Sequence, residues 1–312
     1  MKILVPLYIY PIRDGELAPE WQMMIDAQKA GVPVVAVANP GSGPGTEGDR
    51  PSYERGMKAL RDCGVEVIGY VASGYGKTDE KEVKGHIDRY KEWYGQWVTG
   101  IFLDETAHVA DDLNDGDKTM CARYRGYRFH MNVCFGDTAL VVMNTGTIVT
   151  EATLTNAVGS DVVWNVLENN REYMEKKFGK VTWLSPEEKK KKRGFLGFGG
   201  VGIGGKNGAG TVVGTPPAAP DHVKERAAFM VHGAARLTDD EICHWVNQLQ
   251  DGGWTHVYMT DKCFDPTSTN TALHNPWDAL PTYWGDLVKA VGLANEKAEE
   301  GEKPNGAFCC YA

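Results

Sequence analysis

The sequence predicts an α/β protein that folds as a single (β/α)8 barrel. Eight apolar runs of strand length recur along the 312 residues, and helix-like polar stretches lie between them. The runs are rich in Val, Ile and Tyr and are continuous rather than alternating, which is typical of parallel strands buried on both faces. A doubly wound open sheet remains the alternative, because periodicity cannot show whether a sheet closes.

The elements follow one another in a regular order. Each predicted strand is an apolar run, and together these span residues 3–10, 32–39, 65–72, 98–104, 139–144, 161–168, 226–232 and 254–261. The helical candidates are the polar stretches that separate them, at 19–30, 52–63, 79–93, near 118–134, 170–178, 238–251 and 277–297. This alternation is what a (β/α)8 barrel requires.

One segment interrupts this alternation. Residues 186–220 are rich in Lys, Gly and Pro, and 10 of the 37 glycines lie between Gly194 and Gly214. Such a segment cannot bury enough surface to offset its ordering entropy, so we expect a mobile insertion between the sixth and seventh units. We assign residues 1–312 to one barrel domain, with a flexible C-terminal tail at 298–312.

Composition and charge narrow the classes of partner. Hydrophobic residues make up 42% and charged residues 24%, which is an ordinary globular composition. A net charge of −9 argues against nucleic acid or an anionic membrane surface as partner, since both favour a basic footprint. No apolar run reaches 18 residues, and neither an H-E-x-x-H motif nor paired C-x-x-C motifs occur. We therefore expect no metal, no cofactor, no nucleic acid and no membrane contact, and a monomer.

The compartment is predicted from cysteine usage. Seven cysteines is an odd number, no N-x-S/T glycan acceptor occurs, and the N-terminus reads as a strand rather than a signal peptide. These features favour a cytoplasmic protein, or a secreted one if a leader was removed ahead of residue 1.

Polar side chains stand where nearly every predicted strand ends. In parallel barrels chemistry collects at these carboxyl ends, so the residues there are the candidates for a site. They comprise Tyr8 and Tyr10, Asn39, Tyr70 with Tyr75, Asp104 with Glu105, Asn144, Glu168, His232 and Asp261.

Two carboxylates, Asp104 and Glu168, end strands that are otherwise apolar. Isolated acids in such positions are costly unless they are paired or used. A pair of carboxylates across a pocket suits glycosidic cleavage, where one protonates the leaving oxygen and the other attacks or stabilises the cationic sugar. We expect Asp104 to point into the barrel and Glu105 to be the first loop residue, because neighbouring strand residues face opposite sides. A turn or helix N-cap role is the alternative for each acid.

Aromatic residues at the predicted rims point to the same substrate class. Sugars present flat C–H faces that stack on aromatic rings, and Trp277 and Trp284 join the tyrosines named above near the rim. A cationic amino sugar would gain further from tyrosine faces and a negative cleft. Taken singly, each ring is more often part of the core, so only their clustering supports this interpretation.

Several segments together resemble the spherulin-4-like, or spherulation-specific, family. The resemblance runs through nearly the whole chain in order. Its segments are Val5 to Pro11, Asn39 to Gly45, Gly69 to Val71 with Tyr75-Gly76, Gly100 to Glu105, Asp161 to Glu168, Arg226 to His232, Tyr258 to Asp261, and Asn275 to Trp277 with Leu280-Pro281. Two features differ from the family pattern. The family's Asn-Pro-Gly-Thr after the fifth strand is Asn144-Thr145-Gly146-Thr147 here, and the glycine-rich insertion is unusual.

This resemblance implies a (β/α)8 hydrolase similar to glycoside hydrolase family 135, with endo-α-1,4-N-acetylgalactosaminidase activity. The family's acidic residues would fall on Asp104, Glu105 and Glu168. We expect Glu168 to be the general acid/base, Asp104 the nucleophile or oxocarbenium stabiliser, and Glu105 a residue that positions substrate or tunes Asp104. The expected substrate-binding residues are Tyr8, Tyr10, Asn39, Tyr70, Tyr75, Asn144, His232, Asp261 and Trp277. A non-catalytic glycan-binding or developmental barrel is the alternative.

Overall fold

The computed structural model describes residues 1–107, 118–146, 162–170, 219, 221–234, 237–263 and 275–299. Within these ranges, eight parallel strands form a closed barrel, which confirms the predicted fold class and excludes the open sheet. The barrel strands are β1 (Lys2–Leu7), β4 (Val34–Ala38), β5 (Glu66–Ala72), β6 (Gly100–Asp104), β7 (Leu140–Asn144), β8 (Val163–Asn170), β9 (Ala227–His232) and β10 (Trp254–Met259).

Closure is visible in the pairing of the first strand. Ile3 of β1 is in register with Val34 of β4 on one side and with Val257 of β10 on the other. All other neighbours in the barrel are consecutive in the chain. The carboxyl ends of the eight strands therefore meet at one end of the barrel, which we call the barrel mouth.

Six helices are described, five between strands and one after the last strand, and they cover the barrel as expected. They are α1 (Pro19–Lys29), α2 (Arg50–Asp62), α3 (Glu80–Tyr94), α4 (Lys118–Phe135), α5 (Asp239–Asp251) and α6 (Trp284–Glu299). Within the described ranges, no helix is long and apolar enough to cross a membrane. The predicted helix at 170–178 lies outside the described residues from residue 171 on. The predicted insertion at 186–220 also lies outside the described residues, except for residue 219. The tail beyond residue 299 lies outside them as well.

Several boundaries differ from the prediction. β1 ends at Leu7. The chain then forms a short hairpin of two-residue strands, β2 (Ile12–Arg13) and β3 (Glu16–Leu17), joined by the turn Asp14-Gly15. The last helix starts at Trp284 and not at residue 277, because the preceding segment forms turns in which Asn275 Oδ1 accepts the Trp277 N–H at 3.0 Å. β8 continues two residues beyond Glu168, as far as Asn170.

Candidate functional site

Asp104 is the last residue of β6, and its carboxylate lies inside the barrel mouth. The Tyr70 hydroxyl donates to Oδ2 at 2.7 Å, and the Asn144 Nδ2 group donates to Oδ1, also at 2.7 Å. The Glu105 backbone N–H gives Oδ1 a second donor at 2.7 Å. Hydrogen bonds to a carboxylate are among the stronger ones in proteins, and these three fix both oxygens of Asp104 and stabilise their negative charge. The prediction that Asp104 points inward is confirmed.

The amide of Asn144 is itself oriented by a second amide. Asn165 of β8 donates from Nδ2 to Asn144 Oδ1 at 3.1 Å and to the sulfur of Met230 at 2.9 Å. Asn144 Oδ1 also accepts the Gly146 N–H at 3.0 Å. Because its oxygen is held by two donors, the nitrogen of Asn144 must face Asp104. We call Asp104, Tyr70, Asn144 and Asn165 the Asp104 cluster.

The loop that follows Asp104 is held by a hydroxyl network from neighbouring elements. The Ser73 Oγ lies 2.8 Å from the Glu105 carbonyl and 3.0 Å from the Tyr124 hydroxyl of α4. The same Tyr124 oxygen accepts the Ala107 N–H at 2.9 Å. Ser73 and Tyr124 are both buried, so this network fixes the backbone around Glu105 from the protein side.

Glu105 and Tyr75 both adopt left-handed backbone conformations, with φ of 50° and 54°. The Tyr75 N–H donates to the Glu105 carbonyl at 2.7 Å, so the two strained residues support each other. Such conformations cost non-glycine residues about 1 kcal/mol or more and are concentrated at functional sites. Glu105 is the first residue after β6, as expected. The half-exposed Tyr75 lies in the loop that follows the neighbouring strand β5.

Aromatic rings form one wall beside the Asp104 cluster. Tyr70 is stacked on Phe102 with ring centroids 6.3 Å apart, and Tyr8 meets Tyr70 edge to face at 5.4 Å. Tyr70 is 9% exposed and Tyr8 is half-buried. The structure thus brings the predicted residues Tyr8 and Tyr70 together with Asp104 and Asn144.

His232, Tyr258 and Trp277 form a second wall, which we call the His232 wall. The Trp277 ring lies 5.7 Å from His232 and 5.9 Å from Tyr258, measured between ring centroids. Tyr258 is in register with Met230, whose sulfur contacts Asn165, so this wall adjoins the Asp104 cluster. His232 Nδ1 and the Tyr258 hydroxyl are buried and make no hydrogen bond to any described residue. Burial lowers the pKa of His232 below its ordinary 6.5 and raises that of Tyr258, so both are neutral near pH 7.

Three predicted binding residues have local partners of their own. Asn39 Oδ1 accepts the Gly43 N–H at 3.0 Å and so shapes the loop after β4. Asp261 accepts the Thr282 N–H at 2.9 Å and its hydroxyl at 3.0 Å, which ties the end of β10 to the start of the last helical segment. Tyr10 packs edge to face on Tyr53 of α2 at 5.5 Å and is 46% exposed. Their contribution to binding stays a prediction.

Glu168 lies in β8, and its backbone is in register with Met230. The residue of β8 opposite Asn144 is instead Asn165, so Glu168 stands two β9 residues, or about 7 Å, further toward the mouth. Its side-chain contacts lie outside the described part of the chain. The proposed acid/base role and the distance between the Asp104 and Glu168 carboxyl groups therefore stay predictions.

Sequence reasoning missed Asn165, Tyr258 and Ser73. Asn165 did leave a signal, because a polar residue in the middle of the apolar run 162–167 must be hydrogen-bonded if it is buried. Tyr258 looked like an ordinary strand residue, and Ser73 like a turn residue. Their positions became clear only from the register and from contacts with residues distant in sequence.

Comparison with known proteins gives a family match and one partial relative. The model of the spherulation-specific family 4 matches residues 2–291. Spherulin-4 of Physarum polycephalum is 38% identical over 114 residues, which are 36% of this chain and 32% of that protein. The aligned part of the chain thus spans about a third of the length of this curated relative.

Two solved structures share the fold. The crystal structure of Aspergillus clavatus Sph3 in complex with GalNAc has a TM-score of 0.64 and 22% identity, and covers 93% of this chain and 97% of Sph3. The Prevotella bryantii endo-beta-mannanase/endo-beta-glucanase PbGH26A-GH5A has a TM-score of 0.51 and 10% identity, with 93% and 48% covered. At these identities the likeness establishes the barrel fold.

Proposed function

The chain belongs to the spherulation-specific family 4, and from this premise we propose that it is a glycoside hydrolase that cleaves a galactosamine-containing polysaccharide internally. The proposed activity resembles that of an endo-α-1,4-N-acetylgalactosaminidase. The GalNAc ligand of Sph3, a relative in fold, supports an amino sugar as the substrate unit. The polar and aromatic mouth of the barrel supports a carbohydrate in general.

The observation that carries this proposal is the arrangement around Asp104. A carboxylate at the carboxyl end of a barrel strand accepts hydrogen bonds from Tyr70, Asn144 and the Glu105 N–H, and it pairs with no described Lys or Arg. The two oxygens are thus held by neutral donors and not by an ion pair. Donors that hold both carboxylate oxygens in a fixed orientation suit a group that meets positive charge developing at a sugar carbon.

The roles of the two acids follow from the chemistry of glycosidic cleavage. Glu168, as general acid, would protonate the leaving oxygen and then, as base, activate the incoming water. Asp104 would attack the anomeric carbon or stabilise the oxocarbenium ion. If the acetamido group of the sugar attacks instead, Asp104 would orient that amide, with Tyr70 and Asn144 keeping its own oxygens in place.

The remaining mouth residues would bind the sugar ring. Tyr8, which is half-buried, would offer part of its ring, whereas Trp277 is only 8% exposed and would offer a ring edge. Neutral His232 would exchange hydrogen bonds with hydroxyl groups without carrying a charge. Glu105, held in its strained conformation, would position substrate beside Asp104.

The proposal is tested by incubating the full-length protein with a panel of amino-sugar polymers and following reducing ends and product sizes. We expect release of oligosaccharides from an α-1,4-linked galactosamine polymer, with mixed lengths early in the reaction, as internal cleavage requires. If no polymer of the panel is cleaved yet one of them binds, the non-catalytic glycan-binding alternative replaces the hydrolase.

The role of Glu168 is tested with Glu168→Gln on two substrates. The variant should lose on the order of 10³-fold in rate on the polymer, and much less on an aryl glycoside, whose leaving group needs little protonation. Asp62→Asn on the outer face of α2, where Asp62 pairs with Lys58, is the matched control and should keep full activity. Equal losses on both substrates would argue against Glu168 as the acid.

A further inference from the structure

A group of three potential metal ligands lies on the outer helical layer, away from the barrel mouth. Asp88 of α3 and His130 and Cys134 of α4 place one ligand atom each within 4.8 Å of one another. His130 Nε2 is 2.7 Å from Asp88 Oδ1, and the Cys134 sulfur is 3.6 Å from the same oxygen. We propose that these residues bind a divalent metal ion of the zinc type and so join α3 to α4.

Two of the three distances between ligand atoms are close to those of a tetrahedral zinc site, and the third, between the His130 nitrogen and the Cys134 sulfur, is within 4.8 Å. With Zn–O and Zn–N bonds near 2.0–2.1 Å and a Zn–S bond near 2.3 Å, ligand atoms lie about 3.3 Å apart for nitrogen and oxygen, and about 3.6 Å apart for sulfur and oxygen. The sulfur–oxygen distance already has this value. The His130–Asp88 pair needs to open by only about 0.6 Å when the metal replaces the shared proton.

The helices hold the ligands without any special loop. His130 and Cys134 are four residues apart on α4, so both side chains project from the same face of that helix. Asp88 approaches from α3, which packs beside α4 in the outer layer. Zinc motifs in the sequence did not indicate this group, because one ligand is 42 residues from the nearest of the others.

The chemistry of the three donors also selects the metal. A thiolate, an imidazole and a carboxylate together suit zinc and other borderline divalent ions rather than Mg²⁺ or Ca²⁺, which prefer oxygen ligands alone. The carboxylate and the thiolate would balance the two charges of the ion. Asp88 keeps 59% of its side-chain surface exposed and His130 26%, so an ion can enter from solvent and a water can complete the fourth position.

The bound ion would clamp the helix that supports the loop after Asp104. α4 carries Tyr124, whose hydroxyl holds Ser73 and the Ala107 N–H next to Glu105. A link between α3 and α4 two turns further along α4 would therefore stabilise the outer support of this loop without touching the mouth. This inference does not depend on the proposed hydrolase activity.

Cobalt(II) is the direct probe, because a cobalt–thiolate bond has a charge-transfer absorption that free cobalt lacks. The reduced full-length protein should show this band with one equivalent of cobalt. Cys134→Ser and His130→Gln should abolish or strongly weaken it, whereas Cys63→Ser, at the end of α2, should keep it.

Zinc at 100 times its dissociation constant should raise the unfolding temperature of the wild type by roughly 5 °C and leave that of Cys134→Ser unchanged.

Two results would overturn the site. One is the absence of a thiolate band at millimolar cobalt, which would leave the three residues as a hydrogen-bonded surface group. The other is an unchanged band in Cys134→Ser, which would place the metal on other cysteines of the chain. Neither result bears on polymer cleavage, so failure here is separable from failure of the proposed function.

Discussion

In the Asp104 cluster, three residues hold one carboxylate through different contacts. Tyr70 donates to one oxygen, Asn144 to the other, and Asn165 sets the direction in which the Asn144 amide faces. Since each contact uses a different donor, each can be removed alone. The Tyr70 hydroxyl is the simplest of these groups to remove, because a Phe at position 70 keeps the ring stacked on Phe102.

Tyr70→Phe should therefore lower kcat/KM on the polymer by about 10- to 100-fold while leaving the fold intact. A hydrogen bond to a charged group contributes about 1.5–3 kcal/mol, and in the proposed reaction it stabilises the carboxylate that meets the sugar. Tyr127→Phe on α4 is the control, since the buried Tyr127 hydroxyl has no hydrogen bond to a described residue. Activity of Tyr70→Phe equal to that of the control would remove Tyr70 from the reaction.

A second residue effect concerns acid stability. His256 is buried inside the barrel, and its burial, with Lys2 and the N-terminal ammonium nearby, lowers its pKa to about 3. Between this value and the ordinary 6.5, the unfolded chain binds a proton that the folded chain excludes, so the free energy of unfolding falls as the pH falls through this window.

At pH 4.5 this loss amounts to roughly 3 kcal/mol relative to pH 8. His256→Gln should lose that much less stability over the same interval, as measured by urea unfolding at both pH values. Equal acid losses in the wild type and in His256→Gln would show that other groups govern the pH dependence.

At the scale of elements, close approach of α3 to β5 shapes the barrel beneath the site. A Cβ atom at Gly69 of β5 would lie 2.6 Å from the ring of Tyr90 on α3. Tyr90 is fully buried, and its hydroxyl contacts the carbonyls of Ala38 and Gly43 at 3.0 and 2.9 Å. The ring therefore has no room to move away, and the glycine is required for this contact.

Gly69→Ala should lower the free energy of unfolding by about 1–3 kcal/mol through overpacking. Gly85→Ala on α3 has nothing within 4 Å of the new methyl group and should instead stabilise the protein, by about 0.5–1 kcal/mol. Denaturant unfolding of the two variants gives the comparison. A neutral Gly69→Ala would mean that α3 shifts freely against the sheet.

At the scale of the whole molecule, the number of strands and their parallel burial could be predicted, because apolar runs such as 34–38 leave no polar face. The end of β6 at Asp104 and the inward carboxylate followed from the same pattern. Tyr70 and Asn144 were expected at the same mouth, but their hydrogen bonds to Asp104 and the support that Asn165 gives to Asn144 could not be predicted, since these contacts depend on register and closure. The Asp88, His130 and Cys134 group was missed for the same reason.

Closure of the barrel also brings Asp104 to the mouth, where we propose that it acts on the sugar. The most direct measurement is the rate of reducing-end release by Asp104→Asn, with polymer binding measured on the same sample. We expect a fall on the order of 10³-fold in kcat with binding retained, because Asn keeps the shape but not the charge. Cleavage within a few-fold of the wild-type rate would contradict it.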